Sequence, residues 1–180
     1  MAEEGQPCTR LTIVADGAMR VCSRPDDGRY SVEEALQAPY IIQPEHLFGH
    51  STRHTRTFTA HEGCLLLSID KNDVMQMCAR YQVFHINLLN AICAQAQRFA
   101  HTPWRHTPAA TRPRIIRFIL NHCLTHTGSK RINIRMEQLA HELNESRRAV
   151  SDELHLMHNE QLIVLKRETI MVEHLEKLLR

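Results

Sequence analysis

No stretch of this chain approaches the roughly 18 consecutive apolar residues that a membrane-spanning helix requires. The acidic opening, MAEEGQPC, lacks the basic start and apolar run of a signal peptide. The six cysteines, Cys8, Cys22, Cys64, Cys78, Cys93 and Cys123, are scattered and form no C-x-x-C pair. That spacing predicts reduced, structural thiols in a cytoplasmic protein and excludes an iron–sulfur centre, which needs clustered thiolates. There is no strong excess of one charge: the formal net charge is +2, so any nucleic-acid binding must come from a local patch. No Gly-rich phosphate loop, no Ser/His/Asp arrangement and no paired carboxylates give an enzymatic reading residues to stand on. No repeat or low-complexity tract occurs.

What is present suits one or two globular domains. The hydrophobic fraction is 43% and the charged fraction 23% of 180 residues, ordinary values for a packed protein. Residues 1–69 read as β: a strand over 10–14, a turn at Ala15-Asp16-Gly17, a return over 18–22 and a polar turn RPDDG over 24–28. Ser31 opens a single helical turn over 31–37, and a strand follows over 40–42. Residues 55–60 alternate, and 64–69 form an apolar run suited to a buried strand. Short strands punctuated by Gly and Pro predict a jelly-roll or cupin-like roll. The thirteen histidines invite a metal hypothesis. His46, His50, His54 and His61 with Glu62 lie close in sequence but lack the H-x-H step that converges imidazoles on one cation, so neither metal nor cofactor is expected.

Residues 70–99 change character. Val74, Met77, Tyr81, Phe84, Leu88, Ala91 and Gln95 recur at alternating spacings of three and four, the seam of a helix that packs against its own copy. A second stripe, Ile86, Leu89, Ile92 and Cys93, is expected to face the roll. Pro103, Pro108 and Pro113 interrupt helix and mark a linker, in which Trp104 can act as a staple. Ile115, Ile116, Ile119 and Leu120 give the next helix its core face, and 131–134 supplies a small strand. The expected division is therefore a sensor-like roll over 1–69, a dimerisation helix over 70–101, a linker over 102–112 and a helical domain over 113–180.

Within that last domain, Leu139, Ala140 and Leu143 share one helical face, Asn144 and Glu145 interrupt it, and Ser146 is placed to cap a second helix. Val150, Leu154 and Met157 continue the apolar stripe, while Arg147, Arg148, Ser151 and Asp152 occupy the other face. The sequel LIVLKRETIMV places Lys166 and Arg167 at the turn of a hairpin. Two short helices, a tight turn, arginines opening the second helix and a hairpin after it predict a winged helix-turn-helix, whose second helix enters the DNA major groove. A short terminal helix over 173–180 closes the chain.

Residues 137–172 resemble the DNA-binding domain of the cyclic-AMP receptor protein/FNR family of bacterial transcription regulators. The family's recognition helix opens S-R-E-T-V-x-R, and Ser146-Arg147-Arg148-Ala149-Val150-Ser151-Asp152 stands in its place. Ser146, Arg147 and Val150 match; Arg148 and Asp152 depart, so the family's usual target sequence does not carry over. Pro44-Glu45-His46-Leu47-Phe48-Gly49 and residues 60–70 resemble the family's sensor roll, which is either reduced here or begins upstream. His50 and His54 stand where a cyclic-nucleotide cassette has its glutamate and its phosphate-pairing arginine, so such a ligand is not expected.

The resemblance implies an α+β regulator acting as a homodimer on a two-fold DNA operator. RNA polymerase and a small-molecule effector are its implied further partners. The other reading is a metal-binding cupin-like enzyme or small-molecule binder with a structural helical tail. Arg147 and Arg148 on a capped helix favour the regulator.

Overall fold

The computed structural model describes residues 2–60, 63–100 and 106–179; His61, Glu62 and Trp104 lie outside them. It divides into two compact units, Met1–Arg20 with Leu36–Arg105, and Val21–Ala35 with His106–Arg180.

In the first unit, β1 (Arg10–Asp16) lies between β4 (Tyr40–Ile42) and β6 (Leu65–Asp70) in an antiparallel sheet. β5 (Thr57–Ala60) lies beside β2 (Ala18–Ser23). Gly17 makes the β1–β2 turn with φ +83°, and a Cβ there would come within 2.9 Å of the Cys64 Cα, so only glycine fits without displacement. Leu11, Cys8 and Leu47 are buried on one side of this sheet with Val74 and Leu88.

The helical stretch that follows is two helices, α1 (Lys71–Arg80) and α2 (Gln82–Ala100), rather than one. Tyr81 between them is extended, with φ −124° and ψ 100°. Neither Gly nor Pro marks this break, so residue type alone does not reveal it. The two apolar stripes are also exchanged relative to expectation. Val74 and Leu88 are buried in the core of the first unit, with Phe84 packed against it. Met77, Ala91 and Gln95 are half-buried, and Tyr81 is exposed. Of the second stripe only Ile92 packs inward, while Ile86 and Leu89 are 48% and 47% exposed and Val83 75%. Periodicity identifies two apolar faces, but which one the roll covers depends on the crossing angle. The run before α1 was likewise expected to be buried, yet Leu65 and Leu67 point outward on β6.

In the second unit, α3 (Thr111–His122) has Pro113 in its first turn, where the missing N–H costs nothing. α4 (Met136–Leu143) and α5 (Arg147–Asn159) follow, then a hairpin of β8 (Val164–Lys166) and β9 (Thr169–Val172). The chain ends in a 3-10 turn, Leu175–Leu179. Ile115, Ile119, Leu139, Leu143, Val150, Leu154 and Met157 form one core with the strands. β7 (Lys130–Asn133) lies between β3 (Ser31–Gln37) and β9, in the order β5-β2-β3-β7-β9-β8, at the register Ile132↔Ile170 against β9.

β3, which lies between β2 and β7 in that sheet, is expected from the sequence to be a helical turn. It is a strand because Val32, Glu34 and Leu36 alternate inward, at 1%, 3% and 1% exposure. A carboxylate at an inward position hides the period-two pattern in the sequence.

Glu34 faces Lys130 directly across the β3–β7 ladder. Both side chains are fully buried, with Nζ 2.7 Å from Glu34 Oε2. The Leu124 and Thr125 backbone N–H groups donate to the two carboxylate oxygens at 2.6 and 3.1 Å, and Nζ also donates to Thr125 Oγ1 at 2.6 Å. Tyr30 adds a second tie. His122 Nδ1 faces the Phe118 carbonyl at 2.7 Å, so in the neutral ring Nδ1 donates and Nε2 accepts from the Tyr30 hydroxyl at 2.9 Å. Burial foremost, then Glu142 and Asp27, push the Tyr30 hydroxyl up to about 12, which keeps it a donor.

Removing one member of a buried pair strands the other charge, at a cost of about 3–5 kcal/mol, whereas an apolar replacement of both is close to neutral. Glu34→Ala or Lys130→Ala should therefore lower the unfolding free energy by about that amount in urea titrations. Glu34→Leu with Lys130→Met should recover most of the loss.

Candidate nucleic-acid interface

The α4–α5 pair is set by its turn. Asn144 adopts the left-handed region, φ 51°, and the Asn144 and Glu145 N–H groups return to the His141 and Ala140 carbonyls. This closes α4 as asparagine commonly can. Ser146 then caps α5 as expected, its Oγ accepting from the Ala149 N–H at 3.1 Å. Arg114 on α3 holds the same turn from outside, donating to the Leu143 and Asn144 carbonyls and pairing with Glu145 at 3.1 Å. At the other end of α5, Arg112 takes Glu160 with both terminal nitrogens, at 2.7 and 2.8 Å. Hydrogen bonds to Glu160 and then to Glu153 raise the Arg112 pKa further and lower that of Glu160. Sequence reasoning assigned Arg112 to the linker and gave Arg114 no role; nothing local reveals partners about thirty to fifty positions away.

With Val150, Leu154 and Met157 fully buried, the opposite face of α5 is left to solvent. Each such side chain contributes on the order of 2 kcal/mol by its burial. Arg147, Arg148 and Asp152 are exposed and Ser151 is half-exposed. Arg147 pairs loosely with Glu137 at 3.6 Å, its side chain 69% exposed, and Arg148 with Asp152 at 3.7 Å. Such exposed pairs contribute little, about 0–1 kcal/mol, and are readily exchanged for another anion. His155, missed in the sequence, continues this face: it lies four positions after Ser151 and is exposed.

The β8–β9 hairpin turns at Arg167-Glu168, with Lys166 opposite Thr169 and Glu168 at φ 54°. Lys166 and Arg167 are exposed at its tip. Between this tip and the start of α5 runs a groove of about 640 Å³, whose lining includes Arg135, Arg147, His155, Lys166 and Arg167. The structure thus brings Arg147 together with Lys166 and Arg167 in one groove. Ser151, Asp152 and Arg148 lie on the helix beside it.

In the first unit His46 and His54 have separate partners. His46 Nδ1 lies 3.3 Å from the Ser51 carbonyl, and His54 Nδ1 lies 3.1 Å from Gln43 Oε1. Among the described residues no group of three potential ligands is placed to hold a metal. Burial first, then the neighbouring His46, push the His54 pKa down, so at neutral pH its ring carries no charge to offer a phosphate.

Residues 1–81 match the cyclic nucleotide-binding domain family. No curated protein sequence matches the chain. Among solved structures it is similar to a transcriptional regulator from Thermotoga maritima, at 15% identity over 58% of this chain and 81% of that one, with a TM-score of 0.53. It is also similar to CprK complexed with OCPA, at 14% identity over 98% and 86% of the two chains, TM-score 0.51. FixK2 from Bradyrhizobium japonicum matches at 14% identity over 99% and 89%, TM-score 0.50. At these identities the likeness is one of fold.

A neutral His54 in place of a cation predicts that cyclic AMP and cyclic GMP give no heat of binding in calorimetry at millimolar nucleotide. Saturation in the micromolar range would overturn that assignment. Residues 1–81 thus match the cyclic nucleotide-binding domain family, and the fold of the chain is similar to that of the Thermotoga maritima regulator, CprK and FixK2.

Proposed function

We propose that the second unit is a winged helix-turn-helix and that the protein is a non-enzymatic, sequence-specific DNA-binding transcription regulator. The observation that carries this reading is the Ser146-capped start of α5. Its Arg147 and Arg148 are solvent-exposed, and the groove beside it is walled by the Lys166–Arg167 hairpin. Arg147, at the helix start, reads guanine through O6 and N7, the commonest bidentate contact and worth roughly 1–3 kcal/mol of discrimination. Arg148 takes a second base or a phosphate once released from Asp152. Ser151 is short enough for a base edge or a phosphate. Lys166 and Arg167 hold the backbone and fix register without reading sequence. The metal-binding enzyme reading is not favoured, because two of the histidines that motivated it, His46 and His54, are engaged singly with Ser51 and Gln43. No helix among the described residues is long and apolar enough to cross a membrane.

The regulator acts as a homodimer on a two-fold operator. Support for the dimer comes from Val83, Ile86 and Leu89, a stripe on α2 that the protomer leaves exposed. Apolar area of that kind is commonly covered by a partner. The first unit acts as the sensor, for an effector other than a cyclic nucleotide.

Arg147→Ala should relax base preference at one position in each half-site. Lys166→Ala should weaken all sequences about equally and reduce the salt slope by roughly one. Fluorescence anisotropy on operator and scrambled duplexes separates the two, and an equal, uniform loss for both would move base readout to Arg148. Ile86→Glu with Leu89→Lys should sediment as a folded monomer, whereas charges at Phe84 and Leu88 should unfold the first unit. A dimer that survives the Ile86 and Leu89 changes places the interface elsewhere.

A further inference from the structure

Val21–Ala35, the tip and the adjoining strand residues of the β2–β3 hairpin, belong to the C-terminal unit although their sequence comes from the first forty residues. The turn is ordered: the Gly28 N–H reaches the Pro25 carbonyl at 2.9 Å, with Gly28 at φ 64°, and the Arg29 N–H donates to Asp27 Oδ1 at 3.1 Å. The strand behind the turn is anchored by the buried Glu34–Lys130 pair and by Asn133, whose amide donates to Ser31 and Glu33. A hairpin held this firmly presents its tip at a fixed place.

That place adjoins the DNA-facing groove. A second groove, of about 570 Å³, is lined by Gly28 and Arg29 of the tip together with Arg135, Glu137 and Glu168. The last three also line the groove that holds Arg147, Lys166 and Arg167. The two form one continuous track carrying five cations, Arg29, Arg135, Arg147, Lys166 and Arg167, against the carboxylates of Glu137 and Glu168. The side chains of Arg29 and Arg135 are 61% and 75% exposed and pair, among the described residues, with the exposed Asp27 and Glu168. A polyanion lying along this track meets Arg29 beyond the β8–β9 tip.

We propose that the β2–β3 hairpin is a second wing, in which Arg29 takes a DNA phosphate outside those held by Lys166 and Arg167. This rests on the DNA-binding reading of α5. A phosphate contact releases condensed counterions and so contributes to the salt dependence without adding base preference. Asp27 competes with the phosphate for Arg29, so the two residues act in opposite directions.

The test is the slope of log K against log salt, measured by anisotropy on a random-sequence duplex with the full chain. Arg29→Ala should reduce the slope by about one, as Lys166→Ala does, and Arg29→Lys should restore it. Asp27→Asn keeps an oxygen to accept the Arg29 N–H but removes the competing charge, and should tighten binding. If Lys166→Ala lowers the slope and Arg29→Ala leaves it unchanged, the second wing is overturned while the DNA reading stands. If Arg29→Ala and Asp27→Asn weaken binding alike, Arg29 serves the turn and not the DNA, and the proposal falls. Absence of salt-dependent binding in the unaltered protein would overturn both.

Discussion

Burying a lysine and a glutamate together is tolerable only if each replaces its lost water completely. The Glu34–Lys130 pair comes near that condition, with the carboxylate fully engaged and two of the three ammonium N–H groups placed. The carboxylate accepts from Nζ, two backbone amides and the Thr125 hydroxyl, and the ammonium gains that hydroxyl as well. The cost of breaking the arrangement falls on several elements at once, because Leu124 and Thr125 follow the C-cap of α3, Lys130 opens β7 and Glu34 sits in β3. A one-residue slip of β3 against β7 would turn Glu34 outward and leave Lys130 buried without a counter-charge. The pair therefore fixes the register of the sheet that carries the β8–β9 hairpin, and through α3 the arginines that hold the α4–α5 turn.

The surface around the start of α5 has the opposite character. Its cations are exposed, and so are their described ionic partners: Arg147 with Glu137, Arg148 with Asp152, Arg135 with Glu168 and Arg29 with Asp27. Loose internal pairs limit indiscriminate attraction between a surface of this kind and any polyanion, yet they cost little to exchange when a phosphate or guanine is well placed. Near-neutral net charge and a local basic track are compatible for this reason. Buried charge fixes the scaffold, and exposed charge remains available for recognition.

Much of the second unit was legible because its periods are clean. The spacings among Leu139, Ala140 and Leu143, and among Val150, Leu154 and Met157, each admit one buried face, and Ser146 stands where a cap is required. The α1–α2 region was legible only by half. Two apolar stripes run along it, and a period states that two faces are apolar without stating which one meets the roll; the seam through Val74 and Leu88 proved to be the inner one. β3 was misread because Glu34 interrupts the apolar alternation and Ser31 resembles a cap. The partner that explains Glu34 lies 96 positions away, a separation at which no local pattern carries information. Arg29 was invisible as a site for the same reason: only the sheet brings its turn beside the groove.

The central claim is that α5 reads DNA sequence as one half of a symmetric pair. Selection of bound duplexes from a random pool tests it most directly. The account predicts enrichment of an inverted repeat whose half-sites each contain a guanine that Arg147→Ala makes indifferent, with half-site centres about one helical turn apart or a multiple of it. Failure of any sequence to enrich, or enrichment of a lone asymmetric site unaffected by Arg147→Ala, would contradict it.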